Sequence, residues 1–132
     1  MARTPQAEVI HLDTHVVCWL YEGRTDLLSA SAVNALEHGQ LLVSPMVDLE
    51  LQLLYEIGRI RKGSQVVLAA LAREIGLDVT APSLPRVVAT ARALSWARDP
   101  FDRLIVAEAL LTGAALITKD RWIRRHCAAV LW

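Results

Sequence analysis

What the 132-residue chain lacks narrows its possibilities first. The 14 acidic residues balance the 14 Lys and Arg, which excludes a generally basic nucleic-acid binder and a disordered acidic tail, so a polyanion has to be gripped locally. Two cysteines, Cys18 and Cys127, lack zinc-site spacing and suit two reduced, buried thiols in a cytoplasmic protein. The longest unbroken apolar run, Val66 to Ala72, falls far short of the ~18 residues a membrane span needs. Met1 to Glu8 carries Arg3 and Pro5 without an apolar stretch and cleavage site, so it does not read as a signal peptide. No glycine-rich phosphate loop is present, which excludes nucleotide hydrolysis of the P-loop kind.

What is present is apolar: 54% of residues are hydrophobic and only 21% are charged, and a chain of this length buries enough surface to fold without disulfides or a structural metal. Short, non-alternating apolar runs at Glu8–Leu12, Gln40–Ser44, Leu77–Thr80, Ala114–Thr118 and Ala128–Trp132 predict strands. Between them lie the apolar segment Val16–Tyr21 and helical patterns over Ser31–His38, Ser44–Ile57, Ser64–Ile75, Pro85–Trp96, Asp99–Thr112 and Asp120–His126. Several of these are closed by glycine, at Gly39, Gly58, Gly76 and Gly113. Such alternation indicates an α/β fold, a short parallel sheet with helices on both faces. Without repeats or a Pro-, Gly- or Ser-rich linker, residues 1–132 read as one domain.

In a sheet of this kind, chemistry collects beyond the carboxyl ends of the strands. Asp13 directly follows the first run and Asp120 follows the fourth after Thr118 and Lys119; either also suits a helix N-cap. Glu50 is expected inside an apolar stripe of Met46, Leu49, Leu53, Leu54 and Ile57, where an unpaired charge costs several kcal/mol unless it is paired, protonated or metal-bound. Asp99 before Pro100 is explained by capping. Asp102 is not, because it shares a helix face with Ile105, Val106 and Ala109. Carboxylates gathered at one edge need a compensating cation, and oxygen ligands favour Mg²⁺ or Mn²⁺ and phosphoryl chemistry. His11, His15, His38 and His126 lack zinc spacing and read as surface or packing residues, with His15 and His126 within reach of the site.

Leu12-Asp13-Thr14-His15, Ser44-Pro45 through Leu49-Glu50, Asp99-Pro100-Phe101-Asp102-Arg103-Leu104-Ile105-Val106-Ala107 and Thr118-Lys119-Asp120 together resemble small PIN-domain ribonucleases, the VapC-type toxins of bacterial toxin–antitoxin pairs. The resemblance implies a PIN fold and an endoribonuclease, a hydrolase of RNA phosphodiesters that uses a Mg²⁺- or Mn²⁺-activated water. It places the catalytic acids at Asp13, Glu50, Asp102 and Asp120, all four as metal ligands with Asp99 as an additional acid. Thr118 matches the family's hydroxyl beside the acids and, with Arg121 and Arg124, is expected on the substrate side. Val47-Asp48-Leu49 departs from the small polar residue and aromatic that many relatives carry before the Glu, which concerns the cleft wall rather than the acid.

The resemblance further implies a homodimer and a cognate antitoxin, for which the Ser44–Ile60 segment and Trp19–Tyr21 offer apolar surface. Trp19, Trp96, Trp122 and Trp132 read as packing residues. Two basic clusters, Arg59-Arg61-Lys62 and Lys119-Arg121-Arg124-Arg125, suit a phosphate path. If the acids are withdrawn into one site, the remaining exterior is net basic. A receiver domain would need an acidic neighbour to Asp13, and a haloacid-dehalogenase phosphatase a second Asp where His15 stands. The other reading is a PIN-like module that binds RNA or protein without cutting; the full set of acids speaks against it.

Overall fold

A strand with no polar alternation has to be covered on both faces, and β1 (Val9–Leu12) is: Ile10, His11 and Leu12 are all buried. The computed structural model describes residues 7–132; most of the Met1–Glu8 segment read above lies outside them. From β1 the chain forms α1 (Thr14–Tyr21), a 3-10 turn (Thr25–Leu27), α2 (Ala30–His38), β2 (Gln40–Val43), α3 (Pro45–Glu56), α4 (Ser64–Ile75) and β3 (Asp78–Val79). It continues through α5 (Leu84–Ala91), α6 (Pro100–Thr112), β4 (Ala115–Ile117), α7 (Arg121–His126) and β5 (Val130–Leu131).

The five strands are parallel, in the order β3-β2-β1-β4-β5. The chain therefore builds outward from β1 through β2 and β3, then returns to add β4 and β5 on the other side. The reversal falls between β1 and β4, where Leu12 sits opposite Ile117 and the Asp13 amide donates to the Ile117 carbonyl at 3.1 Å. Loops leaving adjacent strands in opposite directions open a crevice at this point, the usual ligand position of open α/β sheets. The core on the two faces is aliphatic, with Val16, Val17, Val47, Leu51, Ile105, Val106, Leu116 and Ile117 fully buried.

Local signals account for most helix ends. Ser44 caps α3 through its hydroxyl, which accepts from the Met46 amide at 3.1 Å ahead of Pro45, and Asp99 caps α6 by accepting from the Asp102 amide at 3.0 Å. Gly113 closes α6 in the left-handed region at φ 67°, where a side chain would be strained.

Five expectations are corrected. The helix expected over Pro85–Trp96 stops at Ala91, where the Ala91 carbonyl turns to an i+3 bond from the Leu94 amide (3.0 Å) and Arg103 from α6 donates to the carbonyls of Ala91 (2.8 Å) and Arg92 (3.2 Å); tight turns then lead to Ala97. The apolar stripe expected around Glu50 is not the inward one: Val47 and Leu51 face the core, while Leu49, Leu53 and Ile57 are exposed. Of the four tryptophans expected as packing residues, Trp19, Trp96 and Trp132 pack against the core, whereas Trp122 is 51% exposed. The terminal strand is shorter than expected, at two residues, and Cys18 is only half-buried, unlike buried Cys127.

Candidate active site

Asp13 is the most constrained acid. It is buried at the end of β1, and its Oδ1 accepts from the Thr14 amide at 2.8 Å while its Oδ2 accepts from the Thr118 hydroxyl at 2.6 Å. The Thr118 oxygen in turn accepts from the Asp120 amide at 3.1 Å, so one hydroxyl ties the end of β1 to the turn after β4. Thr118 was expected on the substrate side; it is fully buried with its hydroxyl engaged, and it orients Asp13 instead. His15 lies beside them, its Nδ1 at 3.5 Å from Asp13 Oδ2 and its Nε2 accepting from the Lys119 amide at 3.2 Å. The His15 ring also rests against Trp19, over which the Lys119 ammonium sits at 5.8 Å.

Asp120 caps α7, its Oδ1 accepting from the amides of Trp122 (2.8 Å) and Ile123 (3.0 Å). Asp99, exposed, caps α6. Capping therefore uses one oxygen of each and leaves the other toward the cleft or solvent. Asp102 and Glu50, both half-buried, make no ion pair with any Lys or Arg among the described residues. Burial pushes Asp102 up to about 7, with the charges of Asp13, Asp99, Glu50 and Asp120 adding to the effect. Burial also raises Glu50, countered by the neighbouring Thr14 hydroxyl and reinforced by Asp13 and Asp99. Four other acids thus bear on the Asp102 carboxyl. Asp13 and Asp120 come from strand ends, Glu50 from α3, and Asp99 and Asp102 from the start of α6.

The chemistry of the donor set suits a hard divalent cation: carboxylate oxygens from neighbouring elements, with no Lys or Arg among the described residues in an ion pair with Asp102 or Glu50. Among the described residues no three carboxylate, imidazole or thiol side chains converge tightly enough to enclose an ion by themselves. Arg121 and Arg124 are exposed on α7, the helix that Asp120 caps, and among the described residues neither is in an ion pair.

A PIN-domain model matches residues 10–128, nearly the whole chain. The chain belongs to the PIN-domain family. This PIN domain is 39% identical, over 123 residues covering 87% of it and 89% of the relative, to Ribonuclease VapC22 of Mycobacterium tuberculosis. Its fold is similar to the solved VapBC2 complex of Rickettsia felis bound to a promoter DNA fragment, with TM-score 0.68 at 19% identity and coverage of 92% of this chain and 95% of that one. A toxin–antitoxin complex from Klebsiella pneumoniae gives TM-score 0.68 at 21% identity, covering 93% and 96%. At such identities the two structures bear on the fold of the PIN domain.

One feature of the cleft escaped sequence reasoning. The Trp122 indole stands in the lining with Asp120, a position that only its place beside the inward-facing Ile123 betrays. His15, expected within reach of the site, lies 3.5 Å from Asp13.

Proposed function

We propose that this PIN domain is a metal-dependent endoribonuclease, the toxin of a toxin–antitoxin pair, acting on RNA with Mg²⁺ or Mn²⁺. The observation that carries the reading is the gathering of acids at one place: Asp99, Asp102 and Asp120 line one pocket, and the Thr118 hydroxyl ties Asp13 to the turn that carries Asp120. Kinship at 39% identity to a protein named a ribonuclease gives the chemistry its substrate. Asp13 and Asp102 are the residues to hold the cation, with Glu50 and Asp120 binding it or its waters and Asp99 at the rim. A divalent ion held there supplies a water of lowered pKa and positive charge beside the scissile phosphate.

The chain's own contributions can be stated residue by residue. The Thr118 hydroxyl and the Thr14 amide fix both Asp13 oxygens, so the carboxylate is oriented before anything binds. Arg121 and Arg124 offer charge to the phosphates on either side of the scissile bond. Drawing five acids into the cleft leaves cations in excess over the rest of the neutral chain, which suits a polyanion. Leu49, Leu53 and Ile57 on the outer face of α3 provide apolar surface for a second copy or an antitoxin, in keeping with the complexes to which the fold is similar. Among the described residues no helix is long and apolar enough to cross a membrane.

The test is expression of the wild type and of Asp13→Ala in cells lacking the partner gene, alongside purified proteins on total RNA with Mg²⁺, with Mn²⁺ and with EDTA. Growth arrest and RNA cleavage by the wild type alone, abolished by EDTA, are expected. Equal arrest by both proteins, or cleavage that survives EDTA, sinks the site assignment.

A further inference from the structure

A pocket of about 240 Å³ is lined by residues of two kinds, the acids Asp99, Asp102 and Asp120 and the aromatics Trp96 and Trp122, with Arg98 also in its lining. It is smaller than the ~300–1,000 Å³ of pockets that take drug-sized ligands, and suits one planar group. Trp122 is out of the core because the inward positions of α7 are Ile123 and, one turn on, Cys127. Yet the exposed indole is held. Its Nε1–H donates to the Trp96 carbonyl at 2.6 Å, and the His126 ring braces it, 4.4 Å from Trp122 and stacked at 4.9 Å on Trp96. An aromatic surface that is both half-exposed and rotationally fixed has already lost the freedom that binding would otherwise cost it.

We propose that this pocket receives the base of the nucleotide adjoining the scissile phosphate, stacked on Trp122. The inference rests on the nuclease reading above and specifies its substrate as RNA whose base at that position is unpaired. A phosphate brought to the acids carries its neighbouring base to the pocket that Asp102 and Asp120 line together with Trp122. A base in a duplex cannot splay into such a pocket, whereas an unpaired one stacks there whatever its identity. Trp122 therefore helps set where the chain is cut, and Arg98 in the lining faces the sugar–phosphate backbone.

The experiment uses the purified, Mg²⁺-supplied protein and an RNA oligonucleotide with one cleavage site, intact or with an abasic ribose on either side of the scissile bond. In the wild type, removing the base on one side should lower kcat/KM about ten- to a hundredfold. Trp122→Ala should show that loss on intact RNA and no further loss on the abasic RNA. Trp122→Phe, which keeps an aromatic face and gives up the hydrogen bond, should retain most of the base dependence and guards against misfolding of the alanine variant. Independently of cleavage, binding of the same RNA in EDTA should quench the indole emission of the wild type more than that of Trp122→Phe. Equal abasic penalties in wild type and Trp122→Ala overturn the proposal while leaving the nuclease intact. So does a Trp122→Ala defect confined to inhibition by a partner protein, which would make the pocket a peptide site. A wild type that cuts no RNA brings down the nuclease reading, and the base pocket with it.

Discussion

Two groups of buried or half-buried ionisable side chains lie on the same sheet, and they are treated in opposite ways. On α6, Glu108 is fully buried, accepts from the Thr80 hydroxyl at 2.6 Å and lies 3.6 Å from Nε2 of fully buried His11. Burial lowers His11, with the Glu108 charge opposing it. At the carboxyl ends, Asp102 and Glu50 are less buried, yet no Lys or Arg among the described residues pairs with either, and other acids crowd them. The first group is paired within the fold, carboxylate to hydroxyl and imidazole, although Glu108 Oε1 and both His11 ring nitrogens have no hydrogen-bond partner among the described residues. The second is satisfied only by something added. Burial of an acid is thus a poor mark of function by itself; burial among like charges is a better one.

The contrast predicts opposite stability effects. Glu108→Ala removes the 2.6 Å acceptor of the Thr80 hydroxyl, which keeps the Val43 carbonyl at 3.3 Å, and the carboxylate facing His11 in a dry interior, and should cost roughly 1–3 kcal/mol, read as a lower midpoint in urea. Asp102→Asn in EDTA should leave the midpoint unchanged or raise it, because it removes a repelled carboxylate from a cleft. The same substitution should abolish stabilisation by added Mg²⁺, which the Glu108 variant keeps. A loss of stability in Asp102→Asn as large as that in Glu108→Ala would erase the distinction between the groups.

That distinction was only half legible in the sequence. The acids at the strand ends and at the start of α6 announce themselves through local grammar: an apolar run ending in Asp13, a Pro after Asp99, a Gly113 that times the return to β4. The His11–Glu108–Thr80 group has no such grammar, since its members are brought together by the crossover of three separate segments. Glu50 was found for a partly mistaken reason. Both Met46-Leu49-Leu53-Ile57 and Val47-Leu51-Leu54 are apolar at helical spacing, so periodicity alone left the inward face of α3 undetermined. The sheet selects Val47 and Leu51. Similarly, the carbonyls at the early end of α5 are held by Arg103, a side chain from another helix.

A pH titration sharpens the comparison on the acid side. Asp102 has a folded pKa of about 7 against an ordinary 3.8, so between those values the folded chain holds a proton that the unfolded chain has released. Stability contributed by this group is therefore present at low pH, falls as pH rises through that interval, and is lost above about 7. In EDTA the melting temperature should decline from about pH 5 to about pH 8; with excess Mg²⁺ the decline should shrink or vanish, because the cation takes the proton's place. Identical slopes with and without metal would detach Asp102 from cation binding.

The smallest expected effect tests whether the two wings of the cleft are mechanically separate. Arg103 holds the carbonyls of Ala91 and Arg92, and the segment that follows carries the Trp96 carbonyl to which the Trp122 indole donates. Arg103→Met keeps the aliphatic stem but opens those carbonyls, and since Arg92 is exposed, water replaces part of what is lost; about 1 kcal/mol is expected. The damage should be local. Amide exchange should quicken most from Arg92 to Ala97, and the emission of Trp122 should shift toward that of a mobile indole, while Mg²⁺ affinity at the acids stays within about twofold of the wild type. Exchange that quickens evenly over the whole chain would mean that Arg103 supports global stability alone. A large fall in Mg²⁺ affinity would mean that the aromatic wall and the acids move as one body, and that a base docking on Trp122 also tightens the grip on the cation.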